Sequence, residues 1–186
     1  KLTAEFTTNG NEKLPAEGSA KVKDKESAQK TLEQLTQSKF QVADIATKPG
    51  TRNPGAPFTT SSLQQEASRR IGFSPKTTMM LAQRLYEAGH ITYMRTDSLN
   101  LSPIALGAMK DYIISQYGET YYHARTFKTK KAGAQEAHEA IRPTDVTKTE
   151  AGMDDAQRKL YRLIWQRTMA SQMVPAKLEK TVVTIT

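Results

Sequence analysis

The 186-residue chain carries 27 Lys and Arg against 19 Asp and Glu, a net charge of +8, and contains no cysteine. Disulfide scaffolds, thiolate zinc sites and cysteine nucleophiles are thereby excluded, and the positive balance favours a polyanionic partner. No apolar run approaches a membrane span and no signal-peptide pattern opens the sequence, so no membrane partner is expected. Lys1 stands where a Met would start a chain, and the last residues read as a strand. Both ends look cut, and the sequence is expected to be a piece of a larger protein.

Leu2, Ala4 and Phe6 alternate with polar residues and predict a half-buried strand. After a polar stretch, Ala28, Leu32 and Leu35 recur at helical spacing behind Asp24, a suitable cap. Phe40 to Ile45 reads as a second strand. From Lys48 to Pro57, three prolines and two glycines should continue neither element, which predicts a crossover or extended linker. Leu63, Ala67 and Ile71 then share a helix face that Gly72 ends, and Ser74-Pro75 starts a second helix with apolar Met80, Leu81, Leu85 and Tyr86, closed by Gly89. With a strand at Ile91 to Met94, this order matches winged helix-turn-helix modules, although two short helices around a glycine are common in any helical domain.

Ser102-Pro103 repeats the cap-and-proline start, and Ile104, Ala108, Ile113 and Ile114 predict an amphipathic helix ending near Gly118. A basic loop runs from Tyr121 to Gly133, and Ala134 to Ile141 is predicted as a short helix stopped by Pro143. Asp154 or Asp155 should open a longer helix with Leu160, Ile164, Thr168 and Met169 on one side and Trp165 as an anchor. Leu178 to Thr186, rich in threonine and valine, reads as a strand. The fold class is α+β: a mainly helical, winged-helix-like domain at 54–173, inserted into a β-rich domain made of 1–53 and the return strand at 174–186.

Three groups of residues have the chemistry to act on a phosphate. In Gly89-His-Ile-Thr-Tyr-Met-Arg-Thr-Asp-Ser98, the Tyr93 phenol is followed at i+2 by the Arg95 guanidinium, on the same face of a strand. A phenol must lose its proton to attack phosphorus, and a fixed cation lowers that cost while stabilising phosphoryl charge. A packing role for Tyr93, with Arg95 paired to Asp97, is the plainer alternative. In Gln135-Glu-Ala-His-Glu-Ala-Ile-Arg-Pro-Thr144, Glu136 or Gln135 forms a polar cluster with His138 and Glu139 on a helix, and Arg142 at i+4 from His138 suits the pair to donating to an anion. A His-Glu-x-x-His zinc motif fails because Arg142 stands at the second histidine position, and an ordinary surface helix is the plainer alternative. In Pro57-Phe-Thr-Thr-Ser-Ser62, Thr60 and Ser62 sit where a helix N-terminus holds phosphate, although simple N-capping by Ser61 or Ser62 explains the same residues. There is no glycine-rich nucleotide cradle and no Asp-x-Asp metal pair.

Four stretches, Pro54-Gly-Ala-Pro-Phe-Thr-Thr-Ser-Ser-Leu-Gln-Gln65, Thr78-Met-Met-Leu-Ala-Gln-Arg-Leu-Tyr-Glu-Ala-Gly89, Ile91-Thr-Tyr-Met-Arg-Thr-Asp-Ser98 and Gln135 to Thr144, together resemble the type IA DNA topoisomerases. Met94 points to their bacterial topoisomerase I branch, since topoisomerase III relatives usually carry proline there. The resemblance implies that Tyr93 attacks single-stranded DNA, keeps the 5′ phosphate as a tyrosyl ester and releases a 3′ hydroxyl, relaxing negatively supercoiled DNA without ATP. It implies that Arg95 and His138 are catalytic beside it, with Thr96, Asp97, Arg142, Thr60 and Ser62 as supporting DNA contacts. The family's Toprim domain, which supplies the Mg2+ ligands, has no counterpart in this sequence. No metal is therefore expected on this chain, the Toprim domain of the same polypeptide is an expected partner, and the isolated chain is expected to be inactive. A cytoplasmic, nucleoid-associated location is expected. The alternative reading is a non-catalytic winged helix-turn-helix DNA-binding module, indifferent to Tyr93→Phe.

Overall fold

The computed structural model describes residues 2–19, 22–127 and 139–186. Its elements are β1 (Thr3–Thr7), β2 (Lys13–Glu17), α1 (Lys25–Gln37), β3 (Val42–Arg52), α2 (Thr60–Ile71), α3 (Pro75–Glu87), α4 (Pro103–Tyr117), α5 (Asp155–Ser171) and β4 (Ala176–Ile185), with one further helical turn at Glu119–Tyr121. Two compact units result. Residues 1–48 and 180–186 form the first, and the unbroken stretch 49–179 forms the second.

In the first unit β1 and β2 are antiparallel, in register from Thr3 opposite Glu17 to Thr7 opposite Lys13. Strand β2 was not expected. Its side chains alternate through Pro15, which lacks an N–H to donate, and in a two-stranded ribbon such a residue is tolerated on the unpaired edge. Helix α1 is capped by Asp24, whose Oδ1 accepts from the Ser27 amide at 2.7 Å. Gln41 and Thr186 exchange both backbone hydrogen bonds at 2.9 and 3.0 Å, beside paired strands β3 and β4. Strand β3 begins two residues later than the predicted one and corrects the linker: it runs through Pro49 and Gly50 to Arg52. A two-stranded ribbon again has the open edge that makes this possible.

In the second unit α3, α4 and α5 start at the caps read from the sequence, whereas α2 is capped at Thr59 and not at Ser61 or Ser62. Thr59 and Ser62 form a reciprocal capping box on α2, and Ser74, Ser102 and Asp154 cap α3, α4 and α5 through side-chain oxygens. Gly72 ends α2 with φ 70° and Gly89 turns the chain after α3 with φ 73°, both left-handed conformations that glycine adopts without a Cβ penalty. Helix α3 packs against α5 and α2, around Phe58, Leu63, Ala67, Leu81, Leu85, Ile91, Met94, Leu160 and Ile164. A second cluster joins Ala105, Met109 and Ile113 of α4 to Val146 and Met169. Trp165 packs against both clusters and donates from Nε1 to the Val146 carbonyl at 2.8 Å, as its anchoring role requires.

Helix faces differ in part from the expected ones. On α3 the buried line is Thr78, Leu81, Ala82 and Leu85, while Met80 and Tyr86 are exposed. On α4 it is Ala105, Met109 and Ile113, one turn apart, leaving Ile104 and Ala108 exposed. In both helices the apolar residues span more than one face, so hydrophobicity alone did not define the inward line. Phe58 lies beneath the Arg167 guanidinium, 4.5 Å from its carbon. That cation and Arg69 and Arg70 all pair with Glu66, at 3.2, 2.8 and 2.6 Å. Burial pushes the Glu66 carboxyl up, but the Arg69 hydrogen bonds and the charges of Arg167, Arg69 and Arg70 hold it below its usual range.

Candidate active site around Tyr93

No strand forms at Ile91 to Met94. Ile91 makes a single bridge to Pro143 and the segment that follows is irregular. The i+2 relation nevertheless holds. Met94, Thr96 and Ser98 are buried, whereas Tyr93, Arg95 and Asp97 are exposed, so the segment alternates as a strand does without a ladder.

Side chain to backbone bonds take the ladder's place. The Thr92 hydroxyl donates to the Ala140 carbonyl at 2.7 Å and accepts from the Arg142 amide at 2.9 Å, while the Thr92 amide donates to the Arg142 carbonyl. On the other side of Tyr93, the Thr60 hydroxyl lies 2.7 Å from the Met94 carbonyl and accepts from the Thr96 amide at 2.9 Å. The Thr60 amide donates to the Thr96 carbonyl, also at 2.9 Å. Beyond them the Thr96 hydroxyl accepts from the Ser98 amide and the Ser98 hydroxyl from the Asn100 amide, closing a polar turn.

The Tyr93 ring is 42 % exposed and stands edge-on to Tyr86, with centroids 5.4 Å apart. Among the described residues no hydrogen bond engages its hydroxyl, and no ion pair engages Arg95 or Asp97, so the Arg95–Asp97 pairing is not formed. Tyr161 shows the opposite condition. It is 1 % exposed, its hydroxyl donates to the Lys148 carbonyl at 2.7 Å, and burial with the nearby Asp145 charge pushes its pKa up to about 12. Exposure alone does not select Tyr93, because Tyr86, Tyr117 and Tyr121 are comparably open. The adjoining guanidinium and the two threonine anchorages distinguish it.

The second predicted cluster is described only from Glu139 onward; Gln135, Glu136 and His138 lie outside the described residues. Glu139 to Ile141 is extended, not helical, which corrects that part of the predicted helix: the Ala140 amide donates to the Asn100 carbonyl and the Ile141 amide to the Phe58 carbonyl. Arg142 is turned inward, its side chain 14 % exposed, gripping Glu139 through Nε at 3.2 Å and Nη2 at 2.6 Å and the Pro143 carbonyl at 2.9 Å. Glu139 also accepts from the Ser102 amide at 2.6 Å, tying this segment to the start of α4. Burial pushes the Glu139 carboxyl up, and the Arg142 and Ser102 hydrogen bonds more than offset it, holding it below the usual range. Thr92 was not singled out from the sequence, since its partner Ala140 lies 48 residues away. Glu139, read there as a member of a helical polar cluster, instead ties Arg142 to Ser102, 37 residues away.

Of the hydroxyls at the start of α2, Ser62 accepts from the Thr59 amide at 2.9 Å within the capping box, and Thr60 faces the Tyr93 segment. Among the described residues no group of three His, Asp or Glu side chains converges into a metal site. Among the described residues of the segment 91–98, Asp97 is the one carboxylate. Among the same residues, no helix is long and apolar enough to cross a membrane.

A family model described as DNA topoisomerase matches residues 1–186. DNA topoisomerase 1 of Pasteurella multocida is 52% identical over 162 residues, 85% of this chain and 19% of that protein. That of Escherichia coli is 47% identical over 165 residues, covering 87% and 19%. The full-length topoisomerase I structure from Thermotoga maritima superposes with a TM-score of 0.63 at 38% identity, over 84% of this chain and 27% of that one. This chain thus spans about a fifth of the length of these curated relatives. On the match of the family model over its whole length and the identity to these relatives, the chain belongs to the bacterial type IA DNA topoisomerase family.

Proposed function

We propose that this chain is the tyrosine-bearing part of a topoisomerase that relaxes negatively supercoiled DNA by transient cleavage of one strand. The observation that carries the reading is the geometry of 92–98: a half-exposed phenol and a guanidinium without an intramolecular partner among the described residues, set two apart on a backbone anchored on both sides. In the reaction the Tyr93 oxygen attacks phosphorus as its proton leaves. The bond from phosphorus to the 3′ oxygen breaks, and that oxygen takes up a proton to become a hydroxyl. The 5′ phosphate remains as a tyrosyl ester, and the reverse attack reseals the strand with no ATP, because the ester preserves the bond's free energy. Arg95 neutralises charge on the phosphoryl oxygens as it develops, with His138 assisting.

Around them, Thr96 and Asp97 border the strand's path. Arg142 acts through its grip on Glu139, and Ser62 through the cap of α2. The pair α2 and α3 forms the helical part of a winged-helix-like module, and residues 1–53 and 174–186 belong to the β-rich arch. Mg2+ chemistry belongs to a Toprim domain of the longer polypeptide, and this chain alone does not relax DNA.

The test is covalent trapping. The chain is combined with a Toprim-containing fragment, magnesium and a 3′-labelled single-stranded oligonucleotide, then quenched in detergent. Label migrating with this chain and abolished in Tyr93→Phe is the expected result. No adduct from a confirmed assembly of the fragments would remove Tyr93 as nucleophile and leave the DNA-binding module as the better reading.

A further inference from the structure

We infer that Thr60 is a positioning residue for the cleavage reaction, acting through the backbone on either side of Arg95 rather than by touching DNA. The inference rests on the reading of Tyr93 as nucleophile and Arg95 as phosphate ligand. Thr60 is the first residue of α2, a place where a hydroxyl commonly faces an anion or solvent. Here it is partly buried and turned onto the catalytic segment, 34 to 36 residues away in sequence.

Its contacts bracket one residue. The hydroxyl donates to the Met94 carbonyl at 2.7 Å, which belongs to the peptide unit before Arg95. It accepts from the Thr96 amide at 2.9 Å, which belongs to the peptide unit after Arg95. The Thr60 backbone amide adds a bond to the Thr96 carbonyl at 2.9 Å, and the hydroxyl lies 3.1 Å from the same oxygen. With the planes of both flanking peptides fixed, the Arg95 Cα–Cβ direction is fixed as well. The Met94 carbonyl is also one peptide from Tyr93, and Thr92 holds the other side of that residue through Ala140 and Arg142. In a segment with no strand ladder, these bonds are what hold the phenol and the guanidinium in register. Being an acceptor and donor at once, a hydroxyl can serve both peptide groups; a methyl in its place serves neither.

A DNA contact and a positioning role predict different kinetics. Removal of a contact made in both ground and transition states weakens substrate binding. Loosening a catalytic group slows the chemical step while leaving binding in place. The assay measures adduct formation by the assembled fragments with single-stranded oligonucleotide for wild type, Thr60→Val and Thr60→Ser, alongside oligonucleotide affinity and thermal melting. Thr60→Val is expected to cut the saturating rate of adduct formation roughly 10- to 100-fold, the scale of a small misplacement of reacting groups. Its affinity for the oligonucleotide should be unchanged, and it should remain folded at the assay temperature. Thr60→Ser, which restores the hydroxyl, should restore most of the rate. A wild-type rate in Thr60→Val, or a loss confined to affinity, would overturn the positioning role while leaving Tyr93 in place. An inert wild-type assembly would instead remove the nucleophile reading, and this inference with it.

Discussion

Helices α1 and α5 carry the same kind of apolar repeat, and the structure treats them oppositely. On α5, Leu160, Ile164 and Met169 are fully or almost fully buried, and even Thr168 and Ser171 are closed off from solvent. On α1 no residue is buried, and Leu32 remains 51 % exposed. Around α1 the first unit also leaves Phe40, Val42, Ile45 and Val182 exposed, while the second closes two apolar clusters. Periodicity reports which face of a helix is apolar; whether anything covers that face depends on the partner elements and their amino-acid content. The candidate site sits in the well-packed unit, as a reaction that requires fixed geometry demands.

The largest expected effect tests that packing. Ile164→Ala removes a side chain with no solvent exposure from the centre of the main cluster, and should cost about 2–5 kcal/mol in urea unfolding. A cost below about 1 kcal/mol would mean that the cluster relaxes around the loss and that the difference between the helices is smaller than their burial indicates.

A smaller effect tests the polar bonds that hold the site's neighbourhood. Glu139→Gln weakens the grip on the inward-turned Arg142 and should cost about 1–2 kcal/mol at neutral pH. The Glu139 carboxyl lies below its ordinary value near 4.5 in the folded state. A depressed folded-state pKa gives stabilisation that is complete above that ordinary value and lost as pH falls through the folded one. The gap between wild type and Glu139→Gln should therefore be full above the ordinary value of 4.5 and close as pH falls below it. A gap that is constant with pH would assign the cost to packing instead of charge.

What was legible in the sequence follows the range of the interactions involved. Asp24, Ser74, Ser102 and Asp154 announce helix starts because a cap bonds an amide only three residues on, so its signal lies within one turn. Gly72 and Gly89 likewise mark turns that a Cβ would strain. The irregular run at 91–98 reads like a strand since it alternates inside and outside, but its partners are hydroxyls and carbonyls contributed by Thr60 and by residues 140–142, which no local pattern reveals. For the same reason Thr60 looks from sequence like a phosphate contact, and Glu139 like part of a surface helix. The motif string names the candidate residues; tertiary contacts decide which of them face outward.

The smallest expected effect is the most discriminating for the comparison. Leu32→Ala removes an apolar side chain too, but one already half in water, and alanine is the stronger helix former. The change should stay within about 0.5 kcal/mol, or be slightly stabilising. Hydrogen exchange across α1 should be fast in both wild type and variant, since few buried contacts oppose its local opening. If Leu32→Ala instead cost as much as Ile164→Ala, the apolar face of α1 would have to be covered in solution. Sequence periodicity would then have described both helices equally well, and the contrast in burial would belong to the isolated chain and not to the working protein.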